Sequence, residues 1–146
     1  MTPEQQNLRD ALAALPGRVA EAAGRLTDPD EPVAPGDWSA REVVLHLAAV
    51  DQEVWQPRLD ALVAEDLPRF TWAEPGTWSG PGAETFEGAA AVLATFRAAT
   101  IERLDALDEV GWARRGIHAT LGDIDVAALM RIAQDHDAEH LAQIPG

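Results

Sequence analysis

The sequence predicts an all-α fold, and more specifically a four-helix bundle. Four segments carry apolar residues at steps of three and four, which is the spacing of an amphipathic helix. No segment shows a convincing strand pattern, and two of the four helices carry histidines on their apolar stripes. At 146 residues the chain has the length of one domain with a substantial core. We therefore predict a single four-helix bundle domain over residues 1–146.

The first predicted helix covers residues 3–26. Pro16 lies within this segment, and because proline lacks the N–H of a helical hydrogen bond, the helix is expected to kink or split there. Residues 27–36 are dense in proline and form a connection. Because this connection is short, the first and second helices are predicted to be antiparallel neighbours.

The second predicted helix covers residues 39–65. Ser39 and Glu42 have the spacing of a capping box, in which the two residues satisfy each other's backbone N–H groups at the start of a helix. The apolar stripe of this helix includes His46, so the imidazole is expected on the core side. Pro57 is expected to bend the helix.

The third and fourth predicted helices cover residues 84–107 and 124–144, with an irregular stretch at 108–123 between them. The stripe of the fourth helix includes both His136 and His140 among leucine, isoleucine and alanine residues. Both histidines therefore fall where core residues belong.

The three histidines on apolar stripes are the strongest functional signal. His136 and His140 are four residues apart, so they project side by side from one helical face. If that face meets the helix that carries His46, three imidazoles converge. Three protein ligands with one open position describe a catalytic rather than a structural metal site. The alternative is a metal-free bundle in which these histidines are packed core residues with hydrogen-bond partners.

The absence of cysteine restricts the chemistry. Disulfides, thiolate metal sites and cysteine nucleophiles are excluded, so histidine and carboxylate groups must hold any transition metal. A zinc-like ion in such a site lowers the pKa of water, holds a thiolate or polarises a carbonyl. A thiol that the protein itself lacks would have to come from a cofactor, and hydrolysis is the direct competitor of thiol chemistry.

The charge balance argues against nucleic acid as a partner. The formal net charge is -14 at pH 7, and Arg114-Arg115 is the one basic cluster in the sequence, whereas phosphate binding needs a positive face.

The N-terminus lacks the layout of a signal peptide, and no apolar run approaches the about 20 residues that span a bilayer. We expect a cytoplasmic protein that binds neither nucleic acid nor membrane and acts on a small-molecule substrate.

Three further residues are candidates for the site. Glu53 follows His46 by seven residues and returns to the same helical face, where it is a candidate base or fourth ligand. Trp72 and Trp78 lie in a long Pro/Gly-rich loop, residues 67–83, which is expected to fold over one end of the core. The two indoles are candidates for a lid or an apolar wall of a substrate pocket, although packing also explains each of them.

These motifs together resemble the DinB-like family of metal-dependent bacterial proteins, also called YfiT-like. The resemblance covers essentially the whole chain and rests on three groups of residues: Trp38-Ser39 leading to Glu42 and His46-Leu47; Gly111-Trp112 before a loop with His118 and Gly122; and His136-Asp137, His140-Leu141 and Gln143-Ile144. The common family form has proline after the loop histidine, whereas this chain has Ala119.

The resemblance implies a DinB/YfiT-like four-helix bundle that holds a divalent metal, commonly zinc or nickel, at the positions of His46, His136 and His140. Related branches include S-transferases that use low-molecular-weight thiols such as bacillithiol or mycothiol, and a thiol-dependent isomerase. Family members are often homodimers, so a homodimer is expected here.

Three hypotheses follow. The first is a metal-dependent enzyme with thiol S-transferase chemistry on a small molecule, or with hydrolase chemistry. The second is a noncatalytic metal-binding stress or interaction protein, and the third is a metal-free bundle. An open coordination position favours the first hypothesis, and histidines that lie far apart would favour the third.

Overall fold

The computed structural model describes residues 1–32, 34–71 and 82–144. Within these residues the helices are α1 Pro3–Ala13, α2 Leu15–Ala23, α3 Ala40–Val50, α4 Gln56–Ala64, α5 Phe86–Asp105, α6 Glu109–Trp112 and α7 Val126–Leu141. A π-helical segment, Asp51–Trp55, joins α3 to α4 without a break. We count α1 with α2, and α3 with α4, as one bundle helix each; α5 and α7 are the other two. None of the described helices combines the length and the hydropathy needed to cross a membrane.

The first bundle helix is split, as its proline predicts. α1 starts at a capping box formed by Thr2 and Gln5 and ends at Ala13. α2 starts at Leu15, with Pro16 in its first turn, where the missing N–H is tolerated.

The second bundle helix is irregular just before its proline. α3 begins at the predicted capping box, in which the N–H of Glu42 donates to Ser39 Oγ at 3.2 Å and the N–H of Ser39 donates to Glu42 Oε1 at 3.3 Å. The π-helical segment then occupies the turn ahead of Pro57. Single π-helical turns are frequent at functional sites.

The order of the helices around the core differs from the prediction. α1 and α2 pack against α5 and α7, and α3 packs against the same two helices. The first and second bundle helices therefore lie across the core from each other, and the prediction that they are direct neighbours was wrong. A short connection limits the distance between helix ends, but it does not decide which faces meet.

A small sheet, which the sequence analysis did not predict, closes one end of the bundle. β1 (Arg69–Phe70) pairs in parallel with β2 (Arg115–His118), and β2 pairs antiparallel with β3 (Gly122–Asp125). β3 leads directly into α7, where Asp125 Oδ1 accepts the N–H of Ala128 at 2.8 Å as the N-cap. The hairpin thereby positions the start of the helix that carries two of the three histidines.

The core has two apolar halves separated by a layer of charge. One half contains Ile101 and Ala133, and the other contains Leu93, with Leu141 packed against it. Arg97 lies between Leu93 and Ile101 on α5, and Asp137 lies between Ala133 and Leu141 on α7. A buried ion cluster therefore crosses the middle of the bundle.

Candidate metal centre

The structure brings the three predicted histidines together. His46 lies on α3, whereas His136 and His140 lie one turn apart on α7, and α3 packs against α7. One ring nitrogen from each residue lies within 4.8 Å of the other two. His46 Nε2 and His136 Nε2 are 3.3 Å apart. Convergence of three side chains from two helices is what a metal site in a bundle core requires.

The hydrogen bond of His140 fits metal ligation. His140 Nδ1 lies 2.9 Å from Gln143 Oε1, and because an amide oxygen only accepts, Nδ1 carries the proton. The lone pair of His140 Nε2 is then available to an ion, with Gln143 as the supporting partner that metal-bound histidines generally have. His136 Nδ1 is buried and has no hydrogen-bond partner among the described residues. His136 Nε2 is the atom that lies 3.3 Å from His46, so an ion bound there would not meet Nδ1, which lacks the kind of supporting partner that His140 has.

The electrostatics keep two of the imidazoles neutral. Burial, assisted by the charge of His140, lowers the pKa of His46 to about 4. Burial likewise lowers the pKa of His136 to about 4, with further contributions from His140, His46 and Arg97. Because a metal ligand must be deprotonated, two of the three donors are ready to bind an ion at neutral pH.

Two indoles border the imidazoles. The Trp38 ring centroid lies 4.9 Å from that of His46 and 6.1 Å from that of His140, and the Trp38 and His140 rings are within 19° of parallel. Trp55 meets His136 edge to face at 5.9 Å. Trp55 is buried, whereas 44% of Trp38 is exposed. Sequence reasoning did not assign either residue to the site, because an indole gives no signal of which helix it will meet.

Of the remaining predicted site residues, the structure describes Glu53 but not the two tryptophans. Trp72 and Trp78 lie outside the described residues, so their role at a substrate pocket stays a prediction. Glu53 lies half-buried in the π-helical segment, and the group of converging donors among the described residues consists of the three histidines without it. A role for Glu53 as a base also stays a prediction.

The fourth histidine has a local structural role. His118 is buried at the end of β2, and its Nδ1 accepts the backbone N–H groups of Thr120 at 3.1 Å and Leu121 at 3.2 Å. Burial, together with the charge of Arg58, lowers the pKa of His118. The neutral imidazole therefore holds the turn between β2 and β3.

A buried ion cluster next to the histidines was missed by the sequence analysis. The Arg97 guanidinium donates to Asp51 at 2.9 to 3.1 Å, to Asp137 at 2.7 and 2.9 Å, and to the Leu12 carbonyl at 2.9 Å. Thr100 Oγ1 donates to Asp51 at 2.6 Å. Arg97 thus joins α1, the π-helical segment, α5 and α7.

The cluster ties the metal ligands to the rest of the core. Burial opposes the charge on Arg97, but the hydrogen bonds and charges of the two aspartates outweigh it and raise the pKa of the guanidinium. Asp137 directly follows His136 in sequence. The bidentate contact between Arg97 and Asp137 therefore fixes the rotation of α7 at the position of His136. The spacing of Arg97 from Leu93 and Ile101, four residues on each side, was the available signal that it faces the core.

Comparisons with known proteins agree with this architecture. The family model of the DinB superfamily matches residues 3–144. A search of curated proteins finds no match. Among solved structures, YfiT from Bacillus subtilis, described as a probable metal-dependent hydrolase with an unusual four-helix bundle topology, matches with a TM-score of 0.79 at 21% sequence identity, over 99% of this chain and 85% of that chain. The match over nearly the full length shows that the chain belongs to the DinB superfamily.

Proposed function

We propose that this chain is an enzyme that binds a divalent metal ion through His46, His136 and His140 and acts on a small molecule at that ion. The observation that carries the proposal is the convergence of three ring nitrogens within 4.8 Å. Membership of the DinB superfamily and the fold that the chain shares with YfiT support it.

The donor set suits either zinc or nickel, because imidazole nitrogen binds both ions. His46 Nε2 and His136 Nε2 are 3.3 Å apart, close enough for one ion to bind both.

The reaction that we propose at this ion is thiol S-transfer, which the resemblance to the DinB-like family implies. When bound, such an ion supplies Lewis acidity, which lowers the pKa of a thiol or of water and polarises a carbonyl. The protein contains no cysteine, so the thiol has to be a low-molecular-weight cofactor such as bacillithiol or mycothiol. Gln143 orients His140, and the exposed Trp38 borders the imidazoles on the solvent side. We propose that a homodimer carries out the reaction.

Hydrolysis is the second candidate, because YfiT is described as a probable metal-dependent hydrolase. In a hydrolase the ion would lower the pKa of water, and Glu53 is the residue that we propose as the base that accepts the proton.

The test compares zinc-loaded protein with a His136→Ala variant. A panel of thiols (bacillithiol, mycothiol and glutathione) is supplied with an electrophile such as monobromobimane, and p-nitrophenyl esters are assayed without thiol; metal content is measured in parallel. Thiol-dependent conjugation above the variant supports transfer, and ester cleavage without thiol supports hydrolysis. Bound metal with neither activity, across wider panels of electrophiles and esters, would contradict the enzymatic proposal and favour a noncatalytic metal-binding protein.

A further inference from the structure

Trp38 occupies a defined position beside the donor cluster. It directly precedes Ser39, the N-cap of α3, which is fully buried and bonded to Glu42, so the backbone that carries the indole is held in place. The indole contacts His46 on α3 and His140 on α7. Its position therefore depends on the same packing of α3 and α7 that assembles the three histidines.

Trp38 is far more exposed than the other tryptophans that the structure describes. Trp55 and Trp112, the other described tryptophans, are 4% and 1% exposed, whereas Trp38 is 44% exposed. A residue that precedes an N-cap often packs on the fourth helical residue, here Val43, and such packing would account for a buried indole. It does not account for the contact with α7 or for the exposed surface. An exposed apolar surface next to a polar site is a common feature of ligand pockets.

We propose that Trp38 forms an aromatic wall of the substrate site, and that the substrate class is a small molecule with a polar group for the ion and a planar aromatic group attached to it. This inference rests on the proposed function. The Trp38 ring centroid lies 4.9 and 6.1 Å from those of the His46 and His140 imidazoles. An aromatic group attached directly to a polar group at the ion would therefore lie near the about 4.5–7 Å at which aromatic rings stack.

The test uses three hydroxamic acids that share one metal-binding group. Benzohydroxamic acid carries a planar ring, cyclohexanecarbohydroxamic acid a nonplanar ring of similar size, and acetohydroxamic acid a methyl group. Affinities for the zinc-loaded protein are measured by titration calorimetry. We expect the benzo compound to bind about 5- to 10-fold more tightly than the cyclohexyl compound, because aromatic pairs gain affinity beyond the area that they bury.

Two variants of Trp38 separate the aromatic contact from a structural effect. Trp38→Ala is expected to lose the preference for the planar ring, whereas Trp38→Phe is expected to retain a large part of it with unchanged helix content and metal content. Val110→Ala, a change at an exposed apolar residue on α6, is the control and should leave all three affinities unchanged.

The outcomes distinguish this inference from the proposed function. If the parent protein takes up no metal and binds none of the three compounds, the proposed function fails and this inference fails with it. If metal binds but the benzo and cyclohexyl compounds bind equally, the aromatic wall alone is overturned. An equal preference in the parent and in both Trp38 variants would overturn it as well.

Discussion

Replacing Arg97 with methionine would remove the cation from the centre of the bundle. The guanidinium bonds Asp51 and Asp137, which are 0% and 4% exposed, and the Leu12 carbonyl. The Arg97→Met variant keeps most of the apolar volume but leaves two buried carboxylates without a counterion. Breaking a buried ion pair in this way costs about 3–5 kcal/mol. Because the free energy of unfolding of a domain is about 5–15 kcal/mol, the variant should be severely destabilised.

The measurement is urea unfolding followed by far-UV circular dichroism at neutral pH. Arg103→Met on the same helix is the matched control, because Arg103 also pairs with an aspartate, Asp60, but the two side chains are 34% and 59% exposed. An exposed ion pair of this kind contributes about 0–1 kcal/mol. Equal loss of stability in the two variants would refute the reasoning, because it would show that burial of the Arg97 cluster has no energetic consequence.

Four further predictions concern the fold and its pH dependence. Gly116→Ala should cost about 1–3 kcal/mol in thermal unfolding, because a Cβ there would lie 2.7 Å from an aromatic ring carbon. Gly17→Ala, where no atom lies within 4 Å of the added Cβ, should instead gain about 0.5–1 kcal/mol. Ser39→Ala should cost about 1 kcal/mol in the same assay, because it removes the N-cap of α3. Finally, the metal-free protein should lose stability as the pH falls from about 6.5 toward 4. Unfolded chains protonate His46 and His136 near 6.5, whereas the folded state, with pKa values of about 4, does not. Equal urea midpoints at the two ends of this range would contradict the pKa shifts.

The bundle helices were predictable because each is long enough to repeat its apolar stripe several times. The start of α3 was predictable to the residue, since Ser39 and Glu42 carry the capping signal within four positions. The strands have two to four residues, which is too short for an alternating pattern to stand out. Their pairing also joins residue 69 to residue 117, a contact that no local pattern contains.

The histidines were recognisable for a different reason. Each lies on the apolar stripe that the sequence predicts for its helix, and the spacing of His136 and His140 places both on one face, although the structure leaves all three only partly buried. The surroundings of the site could not be predicted in the same way. The contacts of Trp38 with α7, and of Arg97 with two aspartates, depend on which helices face each other, and the short connection after α2 suggested the wrong neighbours.

Metal content tests the central claim most directly. The untagged protein is incubated with zinc, freed of excess ion and analysed by plasma mass spectrometry beside a variant with His46→Ala, His136→Ala and His140→Ala. His118→Asn, at a buried histidine outside the cluster, is the matched control. The account predicts about one zinc ion per chain in the parent and in His118→Asn, and none in the triple variant. No zinc in the parent, or equal zinc in the triple variant, would contradict it.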